Sequence, residues 1–471
     1  MTRPLRLDPD RFFPADPTVR GIARGLFSAV EATPILSPHG HTDPAWFAYD
    51  EAFRDPVSLL LWPDHYLLRM LYSQGVRLES LGVKPLDTSV TETDRRLIWR
   101  RFAENYRLFR GTPSRLWLDH VFSEVFGLET RLSLVTADHY FDAISAALAK
   151  PEFRPRALFE RFNIQVLATT EPALDTLNHH RAIRSSGWMG RVITTFRPDD
   201  VTDPDREDFA VNLQRLGAMT QEDTSRWGGY LAALVQRRAA FRKLGATATD
   251  HGHPTARTAD LSPAACQAML DRILLGKPEP RDPELFRAQM LTEMAVMSCE
   301  DGMVMQLHPG SWRNHNPWLL KRFGRDKGGD IPLATDYVAA LKPLLDKVGR
   351  KPGFSLIVFT LDESAYSREL APMAGHYPCL KLGPPWWFHD SPEGMLRFRR
   401  QTTETAGFYN TVGFNDDTRG FLSIPARHDL ARRTDCAYLA ELVATGRLEE
   451  DEAAELAMDL AYNFAKAAYH L

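Results

Sequence analysis

The stretch Ile35-Leu36-Ser37-Pro38-His39-Gly40-His41-Thr42-Asp43-Pro44 carries the first decision about the fold. A short apolar run ends in two histidines with one glycine between them. On an extended chain, residues i and i+2 project to the same face, so His39 and His41 can aim both imidazoles at one point just past a strand end. Two neutral imidazoles that converge make half of a metal site and suit zinc or another late divalent ion. The plain alternative is a pair of surface histidines in a turn. What stands after the other strand-like runs weighs against it.

Working outward, eight β-rich runs recur between long segments of helical period. They are Thr33–Pro38, Asn163–Ala168, Arg191–Phe196, Gly245–Thr249, Met303–Leu307, Ser355–Leu361, Pro378–Leu382 and Tyr409–Gly413. Runs such as Leu356-Ile-Val-Phe and Ile164-Gln-Val-Leu suit strands buried on both faces, as in parallel sheets. The intervals hold amphipathic patterns, such as Ile98, Phe102, Tyr106 and Phe109, or Leu456, Leu460, Phe464 and Ala468. Strand and helix alternating in this way predict an α/β fold, a (β/α)8 TIM-type barrel. A doubly wound open sheet is the alternative, but no Gly-x-Gly-x-x-Gly follows a first strand. The interval 45–162 is too long for a simple crossover and is rich in aromatics, among them Trp62, Tyr66, Trp99 and Trp117. It reads as a helical insertion after the first strand that packs over the barrel mouth. Residues 1–44 and 163–471 then form the catalytic barrel. Within the insertion, Asp64-His65-Tyr66 either presents polar tips to a ligand or faces the helix core.

Length and composition bound the rest. A barrel with insertions reaches 471 residues as one unit. Apolar residues at 44% and charged residues at 25% are those of a soluble globular chain. With 57 basic against 61 acidic residues, a net charge of −4 leaves no footprint for nucleic acid. No apolar run approaches a membrane span, and no apolar segment follows Met1-Thr-Arg-Pro-Leu-Arg to suggest a signal peptide. Cys266, Cys299, Cys379 and Cys436 match no zinc or redox spacing. They are expected to be reduced thiols of a cytoplasmic protein, and a homo-oligomer is open to it.

A barrel places the carboxyl ends of its strands on one rim, where barrel active sites sit. Polar groups follow nearly every run: His39 and His41; Thr169, Thr170 and Glu171; Arg197; Asp250 and His251; His308, Arg313 and Asn314; Asp362; Trp386 and Trp387; Asp416, Asp417 and Arg419. Singly each has a dull explanation, such as a helix cap or a surface ion pair. Strand eight of a closed barrel pairs with strand one, so His39, His41 and Asp417 make a three-ligand metal site with open positions. Arg197, Arg313 and Arg419 on the same rim favour an anionic substrate, because guanidinium grips carboxylate bidentately. No glycine-rich phosphate cradle follows strands seven or eight.

These pieces resemble the uronate isomerase (glucuronate isomerase) family, a divergent branch of the amidohydrolase superfamily. The resemblance rests on Pro38-His39-Gly40-His41, Asp64-His65-Tyr66, Thr195-Phe196-Arg197-Pro198-Asp199, Asp250-His251-Gly252, Gln306-Leu307-His308 with Arg313-Asn314, Trp386-Trp387-Phe388, and Asp417-Thr418-Arg419 before Phe421-Leu422-Ser423. Their order spans almost the whole chain. Two places depart. The family usually has Thr-Thr-Asp-Asp-Pro after strand two, where this chain has Thr169-Thr170-Glu171-Pro172-Ala173. Its Thr-Asp-Ser-Arg near strand eight is Asp416-Asp417-Thr418-Arg419 here.

The resemblance implies a small sugar-acid substrate and an aldose–ketose isomerisation: D-glucuronate to D-fructuronate, D-galacturonate to D-tagaturonate. A proton moves between carbons 2 and 1 through an enediol, which needs a base, an acid and a stabiliser of oxyanion charge. The implied catalytic residues are Asp417 as base, Tyr66 with His65 as support for the oxyanion, and Arg419. Arg419 either polarises the reacting oxygens or holds the carboxylate with Arg197. Arg313, His308, Asp250, His251, Trp386 and Trp387 complete the implied substrate contacts, the tryptophans excluding water. Superfamily hydrolases with two metals carry a bridging lysine after strand four; this chain has Thr249-Asp250-His251 there, so one divalent metal at most is expected, zinc first. The competing reading is a mononuclear metal-dependent hydrolase of the same superfamily acting on an anionic substrate. A metal-dependent binder is the third, and it has no use for a poised carboxylate.

Overall fold

The computed structural model describes residues 3–471. Its organising element is a sheet of seven parallel strands in which sequence neighbours are spatial neighbours. The strands are β1 Ile35–Ser37, β2 Ile164–Pro172, β3 Arg191–Arg197, β4 Ala248–His251, β5 Val304–Leu307, β6 Leu356–Val358 and β7 Leu380–Leu382. β1, β4, β5 and β6 are buried at every position. In β1, β5 and β6 this matches a mostly apolar composition under the helices that cover a parallel sheet, whereas β4 buries Thr249, Asp250 and His251.

Three expected boundaries shift. β2 runs on to Pro172, so Thr169, Thr170 and Glu171 lie inside the strand and not beyond it. The seven-residue register with β3, from Val166–Arg191 to Pro172–Arg197, holds them extended. Asp250 and His251 likewise close β4 instead of following it. The expected eighth strand, Tyr409–Gly413, reduces to one parallel bridge between Thr411 and Leu382. Gly413 explains the interruption. Its φ of 72° leaves the extended region, and a Cβ there would lie 2.8 Å from the Leu460 carbonyl oxygen of the C-terminal segment packed against it. The chain continues without strand geometry to Thr418, whose carbonyl accepts from His41 N at 2.9 Å.

Between β1 and β2 the chain is helical, including His65–Ser73, Arg95–Asn105, Pro113–His120 and Ala137–Leu148. Ile98, Phe102, Tyr106 and Phe109 are all buried, as their spacing predicts. These helices share one apolar cluster with Ile35 of β1 and Ile164 and Leu167 of β2. A second cluster takes in Phe196 of β3 and apolar residues of β5, β6 and β7. A two-residue antiparallel ribbon, Ser311–Trp312 with Ile331–Pro332, follows β5 and sets the charged loop 324–330 against the cleft described next. No helix among the described residues is long and apolar enough to cross a membrane.

Candidate active site

A cleft of about 720 Å³, counted to its open mouth, lies at the carboxyl ends of the strands. The chain folds locally to aim polar groups into it. β1 ends at Ser37, and the His-Gly-His segment beyond is pinned on both sides: Thr170 Oγ1 donates to the Gly40 carbonyl at 2.9 Å, and His41 N donates to Thr418 O. Gln306 Nε2 stands 3.4 Å from His39 Nδ1, so the ring turns its Nε2 toward Asp417. His39 Nε2 and His41 Nε2 meet the same Asp417 Oδ1 at 3.4 and 3.1 Å. Asp417 reaches them from a left-handed backbone with φ 38°, a conformation uncommon outside glycine and retained where surroundings enforce it.

Behind this set sits a second one. His308, one residue past β5, donates from Nδ1 to Asp250 Oδ1 at 2.7 Å and stacks on His39 with ring centroids 4.8 Å apart. Its Nε2 is buried with no hydrogen-bond partner among the described residues. Asp250 also faces Arg197 Nη1 at 2.9 Å, while Arg197 Nε donates to Asp199 Oδ2 at 2.8 Å. Gly252 is required here: its N–H donates to the Asp199 carboxylate, and a Cβ would overlap Arg197 Nη2. The two motifs around Arg197 and Asp250 thus interlock as one buried unit.

Asp64-His65-Tyr66 lies at the cleft and not in the helix core. Asp64 caps helix His65–Ser73, accepting from Tyr66 N and Leu67 N. Leu67, Leu68 and Leu71 take the buried face, and His65 and Tyr66 line the cleft. Arg313, stacked over Trp387 at 4.6 Å, and Arg419, 3.5 Å from Asp326, stand toward the mouth.

Eleven of the thirteen residues singled out from the sequence line the cleft: His39, His41, His65, Tyr66, Arg197, His308, Arg313, Trp386, Trp387, Asp417 and Arg419. Asp250 acts from behind, through Arg197 and His308. His251 is a correction. Strand neighbours alternate sides, so with Asp250 turned to the site, His251 turns away and pairs with Thr249 Oγ1 at 3.0 Å. Sequence reasoning missed Asp326, Asp330 and Arg427 as lining groups. The first two lay inside the charged run 321–330, which was visible as a loop. Arg427 sits in helix Ile424–Ala444, buried nearly all round, and carried no local signal.

Burial sets the charge states. It pushes His39 down to about 4 and His65 to about 3, so both are neutral near pH 7. Burial would raise the Asp417 carboxyl, but His39 and His41 outweigh it and hold it well below the ordinary range. Burial, with Asp390 nearby, holds the Tyr66 phenol well above its ordinary value, so Tyr66 remains a hydrogen-bond donor.

Two groups of side chains could hold a divalent ion: His39, His41 and Asp417, and His39, Asp250 and His308. Ligands about 2.0–2.1 Å from a tetrahedral ion lie about 3.3 Å apart. The separations of 3.4 and 3.1 Å in the first group match, and two neutral imidazoles with a carboxylate are a fitting donor set. In the second group Asp250 is committed to Arg197 and His308.

A cleft at the carboxyl ends of parallel strands that gathers such groups defines an α/β enzyme. The comparisons say which kind. Residues 18–469 match the family model described as glucuronate isomerase. A uronate isomerase of Phenylobacterium zucineum is 65% identical over 471 residues, covering 100% of this chain and 98% of the relative. One from Xanthomonas campestris pv. campestris (strain B100) is 64% identical with 100% of both chains covered. The crystal structure of glucuronate isomerase from Caulobacter crescentus has a TM-score of 0.98 at 60% identity, covering 99% of this chain and 98% of that one. The chain belongs to the glucuronate isomerase family and is an isomerase.

Proposed function

We propose that the cleft interconverts D-glucuronate with D-fructuronate, and D-galacturonate with D-tagaturonate, by proton transfer through an enediol. The observation that carries this reading is the convergence of an ionised Asp417, a protonated Tyr66 and the cations Arg197, Arg313 and Arg419 on one cleft. Asp417 takes the proton from carbon 2 and returns it to carbon 1. Over the same course the oxygen on carbon 1 gains a proton and that on carbon 2 loses one. Tyr66, beside the neutral ring of His65 at 4.6 Å, donates to the oxygen on which charge develops. Arg419 and Arg313 grip the carboxylate with their free donors, and Arg197, which spends two of its nitrogens on Asp199 and Asp250, adds its remaining one. Trp386 and Trp387 wall the cleft and exclude water. His39, His41 and Asp417 would hold one divalent ion, zinc first, which when bound polarises the sugar oxygens.

The same reading includes the architecture. We take the sheet as a (β/α)8 barrel closed through Thr411 and the His41–Thr418 hydrogen bond, with 45–162 as a helical insertion over its mouth. Both ideas draw support from the shared apolar cluster and from the lining position of His65 and Tyr66.

Turnover in D2O tests the chemistry. A base that exchanges with solvent should leave deuterium on carbon 1 of the ketose. A hydride shift would leave none, and a hydrolase would release no ketose. Asp417→Asn keeps the shape and should lower kcat by about 10²–10⁴, with a smaller change in KM. Recovery of Asp417→Asn to wild-type kcat by added zinc would make Asp417 a ligand only.

A further inference from the structure

Arg427 belongs to no motif named above, yet it lines the cleft. It rises from the first turn of helix Ile424–Ala444 and is 3% exposed. Its guanidinium is fixed on nearly every side. Nη1 donates to Asp390 Oδ2 at 2.5 Å and to the Asp416 carbonyl at 3.3 Å, and Nε donates to Ser423 Oγ at 3.3 Å. One face lies 3.5 Å over the Trp117 ring. Nη2 alone makes no hydrogen bond among the described residues, and it is not sealed from solvent as a buried orphan would be. In a residue that lines the cleft, it is the donor left for a ligand.

Trp117 also meets Tyr66 edge to face, with ring centroids 6.0 Å apart, and Tyr66 lines the same cleft as Arg427. The Tyr66 hydroxyl likewise makes no hydrogen bond among the described residues. Asp390 stands within electrostatic reach of both, with its Oδ1 buried and unpartnered, and it is 5% exposed. Its carboxyl can therefore do little but hold Arg427. Arg313 and Arg419 differ. They stand toward the mouth and answer to Asp330 and Asp326.

We propose that Arg427 is a catalytic residue that completes an oxyanion site with Tyr66, its free Nη2 and the phenol donating to the enediolate oxygens, and that Asp390 is the positioning residue that fixes it. Preorganised donors aimed where charge develops act chiefly on the transition state. The inference rests on the uronate isomerase reading above, and its test separates the two.

The test is steady-state kinetics on D-glucuronate for Arg427→Lys, Asp390→Asn, Tyr66→Phe and the Arg427→Lys/Tyr66→Phe double variant, each checked for native near-UV circular dichroism. Lysine keeps the charge and loses the fork. Arg427→Lys should lower kcat by about 10²-fold, the cost of one oxyanion donor, with KM little changed. The double variant should lose less than the product of the two single losses, because the donors serve one charge. Asp390→Asn should lower kcat by less than Arg427→Lys, again with KM held. An unchanged kcat in Arg427→Lys, a raised KM with kcat intact, or strictly multiplicative losses would each overturn the proposal. If Arg427→Lys does not fold, Asp390→Asn decides: wild-type kcat there overturns it. A wild-type protein that does not turn over D-glucuronate sinks the isomerase reading instead, before any variant is compared.

Discussion

Arg197 illustrates what a single position has to satisfy. It is the last residue of β3, and its side chain bridges Asp199 and Asp250 while its edge reaches the cleft. A lysine keeps the charge but cannot span two carboxylates and still turn a donor to the cleft. Arg197→Lys should raise KM for D-glucuronate by about tenfold or more, equivalent to a loss near 1.4 kcal/mol. An unchanged KM would leave the anion to Arg313 and Arg419 alone. Strain sits at the same scale. Trp387 and Asp326, like Asp417, line the cleft with positive φ, 52° and 60°. Such conformations persist only where the surroundings over-determine them.

At the scale of elements, the pairing of β2 with β3 carries a buried acid outside the cleft. Glu171 is 5% exposed, accepts from Thr194 Oγ1 on the neighbouring strand, and lies 3.7 Å from His180 Nε2 of helix Asn178–Ser185. Burial pushes its carboxyl up to about 8, with Asp175 and Asp43 adding to the rise and the threonine hydroxyls opposing it. The unfolded chain releases this proton near 4.5, whereas the folded chain keeps it until about 8. Between those values the folded state binds the extra proton, so this group's contribution to stability is full below pH 4.5 and is lost as pH rises toward 8. The slope is about 1.4 kcal/mol per pH unit for one proton. Glutamine mimics the protonated form and does not titrate. The difference in Tm between Glu171→Gln and wild type should therefore widen in favour of the variant from pH 5 to pH 8. A gap that stays constant with pH would mean that Glu171 is ionised in the fold.

The whole molecule decides whether a metal site exists. His39 and His41 come from the first tenth of the chain and Asp417 from its last eighth. They meet only because the chain that bridges to β7 at Thr411 runs on to Thr418, whose carbonyl takes the His41 N–H just past β1. If these three bind one divalent ion, the double change His39→Ala with His41→Ala should empty the site when metal content is measured by elemental analysis. Full occupancy in that variant would move the ion to His308 and Asp250, or exclude a site on this rim.

The sequence alone determined the parts that depend on local pattern. Periodicity marked seven of the strands and the helices around Ile98–Phe109, and position after a strand-like run marked nine cleft residues; His65 and Tyr66 came from the family resemblance, because spacing alone leaves them undecided. Three things needed the tertiary structure. Tyr409–Gly413 reads as a strand, yet it makes a single bridge and leaves the extended region at Gly413, where φ is 72°. His251 reads as a site residue, yet the turn of Asp250 toward His308 and Arg197 forces it outward. Arg427 reads as one more charge on a charged helix. Its meaning comes from Asp390, Trp117 and Tyr66, at separations in sequence of 37, 310 and 361 residues, and long-range contacts of that kind leave no periodic trace in the chain.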